Sequence, residues 1–394
     1  MLTNDRIPGV YLEDVFSTPE PELMTGVPAF LGLANSGSLN TPQLLTLWPQ
    51  FEQHFGKSLS DSYLGYAVRG FFENGGRLCY VVRIKEATQS ALQAGLDAIA
   101  PLDTIDLVCA PDIMKAEKDT DIWMMQKAIL EHCQLLGDRF AILDAMNRST
   151  PEIQQQKQRL SSINGALYAP WLKVPSLEKA TGNGQQATGN GQQATGKTKL
   201  FEVPPCGHIA GIYARSDRAA GVYQSPANYV LEGVLDLSFT VTNTDFEQLN
   251  LKTATTGVNC LRSLTGRGIR VWGTRTLSSD PSWRYISVRR LFLTVCRWID
   301  RNLADVAFEP NEFKLWLRIE RELTAYFESL FRQGAIKGNT PQEAFFVKCD
   351  EETNPPEIQD SGQVVTEIGL APTIPCEFII VRLIHGSTGV AVTT

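Results

Sequence analysis

The sequence predicts a mixed α/β fold: a mostly parallel α/β unit first, then a helix-and-strand unit, with extended strand-like arms at the two ends. Three observations carry this. Between Val27 and Leu172, short apolar runs alternate with amphipathic stretches, the rhythm of parallel strands joined by crossover helices. From Gly257 to Leu303 a Gly-punctuated pair of strand runs feeds a long stretch with helical spacing. Strand-like runs at Val10–Phe16 and Val390–Thr394 stand apart behind Pro-rich and Gly-rich joints.

Taken in order, Val10 to Phe16 is a strand run followed by Thr18-Pro-Glu-Pro-Glu22, a stiff non-helical connector. Ala29–Leu33 reads as a strand, Thr41–Phe55 and Leu64–Glu73 as helices, and Cys79–Ile84 as a buried strand. Helices are expected near 90–99, 119–136 and 152–163, separated by strands at 105–109, 140–143 and 166–168. Asp112 and Asp144 follow strands, at the carboxyl edge where α/β proteins build sites. No nucleophile motif accompanies them, so they are read as shaping turns or capping the helices that follow.

Ala180-Thr-Gly-Asn-Gly-Gln-Gln186 then repeats as Ala187–Gln193 and begins again at Ala194, with no larger apolar residue to bury. The repeat generates two mimics. Gly191-Gln-Gln-Ala-Thr-Gly-Lys-Thr198 spells a phosphate-binding loop, and Gly182–Ala187 imitates a dinucleotide fingerprint. A working phosphate loop lies between a buried strand and a helix N-terminus that aims N–H groups at the anion. Here polar repeats precede it and Pro204-Pro205 follows.

Beyond the repeat, 207–214 is small and apolar. Cys260–Leu264 and Ile269–Leu277 form a hairpin across Gly266-Arg-Gly268. From Tyr285 onward Val288, Phe292, Val295, Ile299 and Leu303 make one apolar helix face. Arg290, Arg297 and Arg301, at i, i+7 and i+11, make a basic stripe beside it. Asn311 is placed as the N-cap of a second helix, lined by Phe313, Trp316, Ile319, Leu323, Phe327 and Leu330 and stopped at Gly334. Arg318 and Arg321 lie on its other face. Strands follow at 344–349, 363–368 and 377–384, the last apolar on both faces and so expected to be central or covered. Past the Gly386-Ser-Thr-Gly389 joint, Val390–Thr394 is a short strand expected to lack a local partner.

Composition narrows the function classes. The chain has 394 residues, 43% hydrophobic and 20% charged, enough for sizeable cores. Its net charge of −7 disfavours nucleic acid as a direct partner. There is no run of about 18 apolar residues and no basic-then-apolar leader, so neither membrane insertion nor a signal peptide is expected. Eight cysteines lie scattered without a Cys-x-x-Cys pair, as reduced core thiols would. Neither metal nor cofactor is expected.

Several linked motifs resemble one family. Gly257-Val-Asn259, Val271-Trp-Gly-Thr-Arg-Thr-Leu277, Trp283-Arg-Tyr-Ile-Ser-Val-Arg-Arg-Leu291 and Phe308-Glu-Pro-Asn311, in that order, resemble the contractile tail sheath proteins of phages and phage-like injection systems. Ile7-Pro-Gly-Val-Tyr11, Tyr168-Ala-Pro-Trp171 and Pro204–Arg215 extend the resemblance over most of the chain, the departure being the insertion between Lys173 and Val203. The resemblance implies a non-enzymatic structural subunit that polymerises as stacked hexameric rings around an inner tube and contracts to drive that tube through a target envelope. It implies itself, the inner tube protein, and baseplate and cap proteins as partners, with assembly in the bacterial cytoplasm. It divides the chain into an arm (1–25), an α/β domain (26–172), the insertion (173–203), a sheath core domain (204–384) and a second arm (385–394).

On this reading Val10, Tyr11, Leu12, Val15, Val390, Ala391 and Val392 are the intersubunit arms, since main-chain ladders join chains regardless of side-chain detail. Phe345, Val347, Phe378, Ile380, Val381 and Arg382 belong to the sheet that accepts a neighbour's arm. Arg290, Arg297, Arg301, Arg318 and Arg321 are candidate contacts to the tube or a neighbour, against the plainer reading of a solvated face with local ion pairs. The alternatives are a nucleotide-binding enzyme using the Gly191–Thr198 loop and a non-polymerising tail surface protein.

Overall fold

A computed structural model describes residues 23–59, 61–177, 199–250 and 256–377, and the backbone of 382–386 and 389–393. The first half alternates as expected: β1 (Pro28–Gly32), β2 (Gln43–Leu45), α1 (Pro49–Phe55), α2 (Leu64–Glu73), β3 (Cys79–Arg83), α3 (Gln89–Ile99), β4 (Leu107–Cys109), α4 (Asp119–Leu136), β5 (Phe140–Asp144), α5 (Thr150–Arg159) and β6 (Gly165–Ala169). The expected helix from Thr41 starts only at Pro49. Residues 43–45 instead form an edge strand antiparallel to β3, which buries Leu45.

A three-stranded sheet follows, from β7 (Leu172–Pro175), β8 (Leu200–Val203) and, after α6 (Cys206–Ala220), β9 (Asp236–Leu237). The small apolar stretch 207–214 lies within α6, whose face is small rather than large. That smallness lets it lie against α2: a Cβ on Gly207 would stand 2.3 Å from the Ala67 backbone.

After α7 (Asn243–Leu249), the hairpin β10 (Val258–Leu264) and β11 (Gly268–Trp272) turns through Gly266 and Gly268, both at positive φ. β11 ends five residues earlier than expected, and Leu277 makes an isolated bridge to Ser162 instead. The hairpin joins the first sheet, because β10 pairs parallel with β6, Val258 opposite Leu167. One eight-stranded sheet therefore runs β11-β10-β6-β5-β4-β1-β3-β2, with strands from both sides of the expected division at 203/204.

The sheet's alternation feeds two cores. Phe30, Phe71, Tyr168 and Tyr213 pack on the α2 and α6 side, and Ala29, Leu31, Leu96 and Ile129 on the α3 and α4 side. Then come α8 (Ile286–Asn302) and α9 (Phe313–Arg332), followed by α10 (Pro341–Ala344), β12 (Phe345–Lys348), α11 (Pro356–Asp360) and β13 (Glu367–Leu370). Leu291 and Val295 of α8 meet Trp316, Ile319, Leu323 and Phe327 of α9 and Phe345 of β12 in a third core. Phe313, expected on that buried face, is 65% exposed. Glu312, not Asn311, is the N-cap of α9; the Asn311 side chain accepts from Trp316 Nε1 at 2.8 Å and donates to the Gln363 carbonyl at 2.8 Å. Gly334 ends the helix at φ +80°. β14 (Arg382–Gly386) and β15 (Gly389–Thr393) form a separate two-stranded antiparallel pair. Among the described residues no helix is long and apolar enough to cross a membrane.

Candidate assembly interface

Two of the three arginines in the basic stripe of α8 are not on the surface. Arg290 is 3% exposed and Arg297 7%, because α8 is covered on the side sequence periodicity assigned to solvent. The Arg290 guanidinium donates to both Asp217 oxygens, at 2.7 and 2.6 Å, and to Asp106 Oδ2 at 3.0 Å, and lies 4.8 Å from the Tyr213 ring centre. Burial opposes its charge, but the Asp217 and Asp106 carboxylates more than offset this and raise its pKa. Burial pushes the Asp217 carboxyl above the usual carboxylate range, and Arg290 only partly pulls it back.

This network grips the chain at Met24 to Val27, at the end of the segment the sequence reads as an arm (1–25). Asp106 accepts from the N–H groups of Gly26 (2.9 Å) and Val27 (2.6 Å), while Arg297 donates to the Met24 carbonyl (3.2 Å) and to the carbonyls of Asp103 and Thr104. Gly26 passes so close to α6 that a Cβ would stand 2.5 Å from Ala214 Cα. The arm residues Val10, Tyr11, Leu12 and Val15 lie outside the described residues.

A second such grip lies at Glu377, eight residues before the segment the sequence reads as the C-terminal arm (385–394). Arg275 Nη2 donates to Glu377 Oε2 at 2.9 Å and Nε to Oε1 at 3.2 Å, a bidentate pair with side chains 6% and 16% exposed. The Arg275 backbone is in turn held by Asn259 of β10, whose side chain accepts from the Arg275 N–H and donates to its carbonyl, each at 2.8 Å.

Beyond this root, the strand carrying Val390, Ala391 and Val392 does have a local partner. Val390 stands opposite His385, Ala391 opposite Ile384, and Val392 opposite Leu383. The pairing runs out to Gly386 opposite Gly389. β14, expected to be central or covered, pairs within the described residues only with β15, and Arg382 lies in it. Phe378, Ile380 and Val381 lie outside the described residues. Phe345 and Val347 are in β12, which pairs among the described residues only with β13.

The remaining arginines differ. Arg318 is held by Asp305 (2.7 Å), Glu309 (2.5 Å) and Glu322 (2.9 Å). Arg301 and Arg321 are exposed, and on α9 Phe313 and Leu317, eight and four residues before Arg321, are exposed apolar residues.

At the sheet's carboxyl edge the two aspartates are occupied. Asp112 accepts from the N–H groups of Leu33 (2.7 Å) and Tyr63 (2.6 Å) and from the Ser62 hydroxyl (2.8 Å). Asp144 accepts from the Cys206 N–H at 2.7 Å. They thus serve the starts of α2 and α6 rather than the helices that follow them in sequence. Burial raises the Asp144 pKa to about 7, although hydrogen bonds from Cys206 oppose the shift. The phosphate-loop match lies outside the described residues, and among those described no His, Cys, Asp and Glu cluster could hold a metal.

Residues 85–277 match the phage tail sheath protein central domain and 278–384 the phage tail sheath C-terminal domain. A chain of the anti-feeding prophage (AFP) baseplate superposes at TM-score 0.75 with 30% identity, over 96% of this chain and 99% of that one. The sheath complex of the PVC extracellular contractile injection system, in its contracted state, superposes at TM-score 0.75 with 27% identity over 98% and 99%. The tail sheath protein of Vibrio phage KVP40 is 27% identical over 190 residues, 47% of this chain and 27% of the phage protein. The curated phage and prophage relatives are matched over less than half their length. The chain belongs to the contractile tail sheath protein family.

Proposed function

We propose that this chain is the structural subunit of a contractile sheath, polymerising as stacked hexameric rings around an inner tube and shortening to drive that tube through a target envelope. The observation that carries the reading is end-to-end similarity to a contracted injection-system sheath, over 98% of this chain. Its partners are further copies of itself, a tube protein, and baseplate and cap proteins, and no step of its work is catalytic. Energy is stored in the extended lattice as a small difference per subunit multiplied over many copies, with a barrier holding the stored state.

The arms Val10–Val15 and Val390–Val392 link neighbours by adding strands to the sheet that includes Phe345 and Val347. Each ladder hydrogen bond contributes only about 0.5 to 1.5 kcal/mol net, too little for an isolated pair of subunits, so the links act together in a lattice. The β14–β15 pairing gives the C-terminal arm a self-satisfied form in the free subunit, which either opens or is presented whole on assembly. With Arg290 and Arg297 buried, contact with the tube or a neighbour falls to Arg301, Arg318 and Arg321 beside Phe313 and Leu317. Negative-stain microscopy of the purified chain tests the reading: striated hollow tubes are expected, and persistent small oligomers would overturn it.

A further inference from the structure

We propose that Arg275, Arg290 and Arg297 are positioning residues that form two clamps, one at each arm root, passing the pull of the arms into the eight-stranded sheet and its packed helices. The inference rests on the arms linking subunits and adds where their load enters the body.

At the C-terminal root the path is short. Glu377 lies eight residues before the arm (385–394), and Arg275 holds it by two parallel charge-assisted hydrogen bonds. Arg275 is fixed on both its N–H and its carbonyl by Asn259. Asn259 lies in β10, which pairs with β6 on one side and β11 on the other. Tension on the arm therefore reaches the sheet through one side-chain pair and one reciprocal amide.

The N-terminal root is gripped over consecutive residues: Met24 by Arg297, Gly26 and Val27 by Asp106, with Asp106 and Asp217 both bonded to Arg290. Arg290 and Arg297, two turns apart on α8, thus hold the root from one helix.

The geometry suits load. A backbone segment pulled from its end peels one hydrogen bond at a time, whereas a bidentate clamp sets bonds in parallel at a fixed point. Two motifs that carry the family resemblance, Val271–Leu277 and Trp283–Leu291, each supply a clamp arginine, and Gly257–Asn259 supplies the amide behind one of them.

The test uses the full chain with Arg275→Met, Glu377→Gln and the exchange Arg275→Glu with Glu377→Arg. A truncation lacking residues 387–394 is run in parallel. Thermal melting, hydrogen exchange at residues 370–377, and the yield and length of tubes are recorded. The expected result is near-normal melting, faster exchange at the root, and a loss of intact tubes of roughly tenfold or more, the scale of one lost charge-assisted bond per link, with partial recovery in the exchange. If Arg275→Met loses the fold, Glu377→Gln, which keeps the side chain's size, decides alone. Clamp variants that form full-length tubes while the truncation forms none would overturn the clamps and leave the arms standing. A truncation that still forms tubes would overturn both.

Discussion

Replacing Arg290 with Met should destabilise the subunit by about 4 kcal/mol near neutral pH, within the range of about 3 to 5 found when one partner of a buried ion pair is removed. Three hydrogen bonds of 2.6 to 3.0 Å are lost, and two carboxylates with side chains 7% and 2% exposed are left facing a methionine. Asp217, whose carboxyl burial already pushes upward, then loses the guanidinium that opposed the shift, so the penalty should shrink as pH falls and it protonates. Adding Asp217→Asn to Arg290→Met should recover part of the loss, because the second change removes a charge the first leaves unpaired. Urea titration followed by tryptophan fluorescence and by circular dichroism measures this, with the midpoint shift compared among wild type, both single variants and the double variant. A penalty under about 1 kcal/mol, the scale of an exposed ion pair, or strict additivity in the double variant, would refute a buried clamp.

Three further outcomes follow from the geometry. Because the native Asp144 carboxyl titrates near 7 against about 4 when unfolded, the folded chain holds that proton more tightly; the stability it confers is complete at acid pH and lost as pH rises to about 7. Asp144→Asn should therefore gain on wild type by up to roughly 4 kcal/mol from pH 4 to pH 7 in pH-dependent unfolding, and a flat difference would contradict this. Deleting residues 180–196, or changing Lys197→Ala, should leave tube assembly intact, whereas ATP hydrolysis lost with Lys197→Ala would revive the phosphate-loop reading. Reversing Arg301 and Arg321 to Glu should weaken assembly or tube attachment with melting unchanged, and full-length sheathed particles from that variant would make the face an ordinary surface.

Local pattern was enough for the elements and not for their partners. α2 and α4 take their expected bounds because each has an apolar stripe of ordinary large residues between clear stop signals. The burial of Arg290 and Arg297 was hidden because Asp217 and Asp106 lie 73 and 184 positions away from Arg290. One signal was present: Leu291, Phe292 and Leu293 put apolar residues around much of α8, as in a helix covered on several sides. The union of β6 with β10 escaped detection because a parallel pair needs a long crossover, here filled by a three-stranded sheet and α6. The β14–β15 pairing had a sequence signal, since Gly386 and Gly389 stand close enough in sequence for the strands on either side to pair as a hairpin.

The central claim, that weak terminal ladders join these subunits into a working lattice, is tested most directly by removing residues 387–394 and imaging the product beside the intact chain. The account predicts striated tubes from the intact chain, and from the truncated one a soluble subunit with unchanged circular dichroism and melting. Contractile tubes assembled from the truncated chain would contradict it.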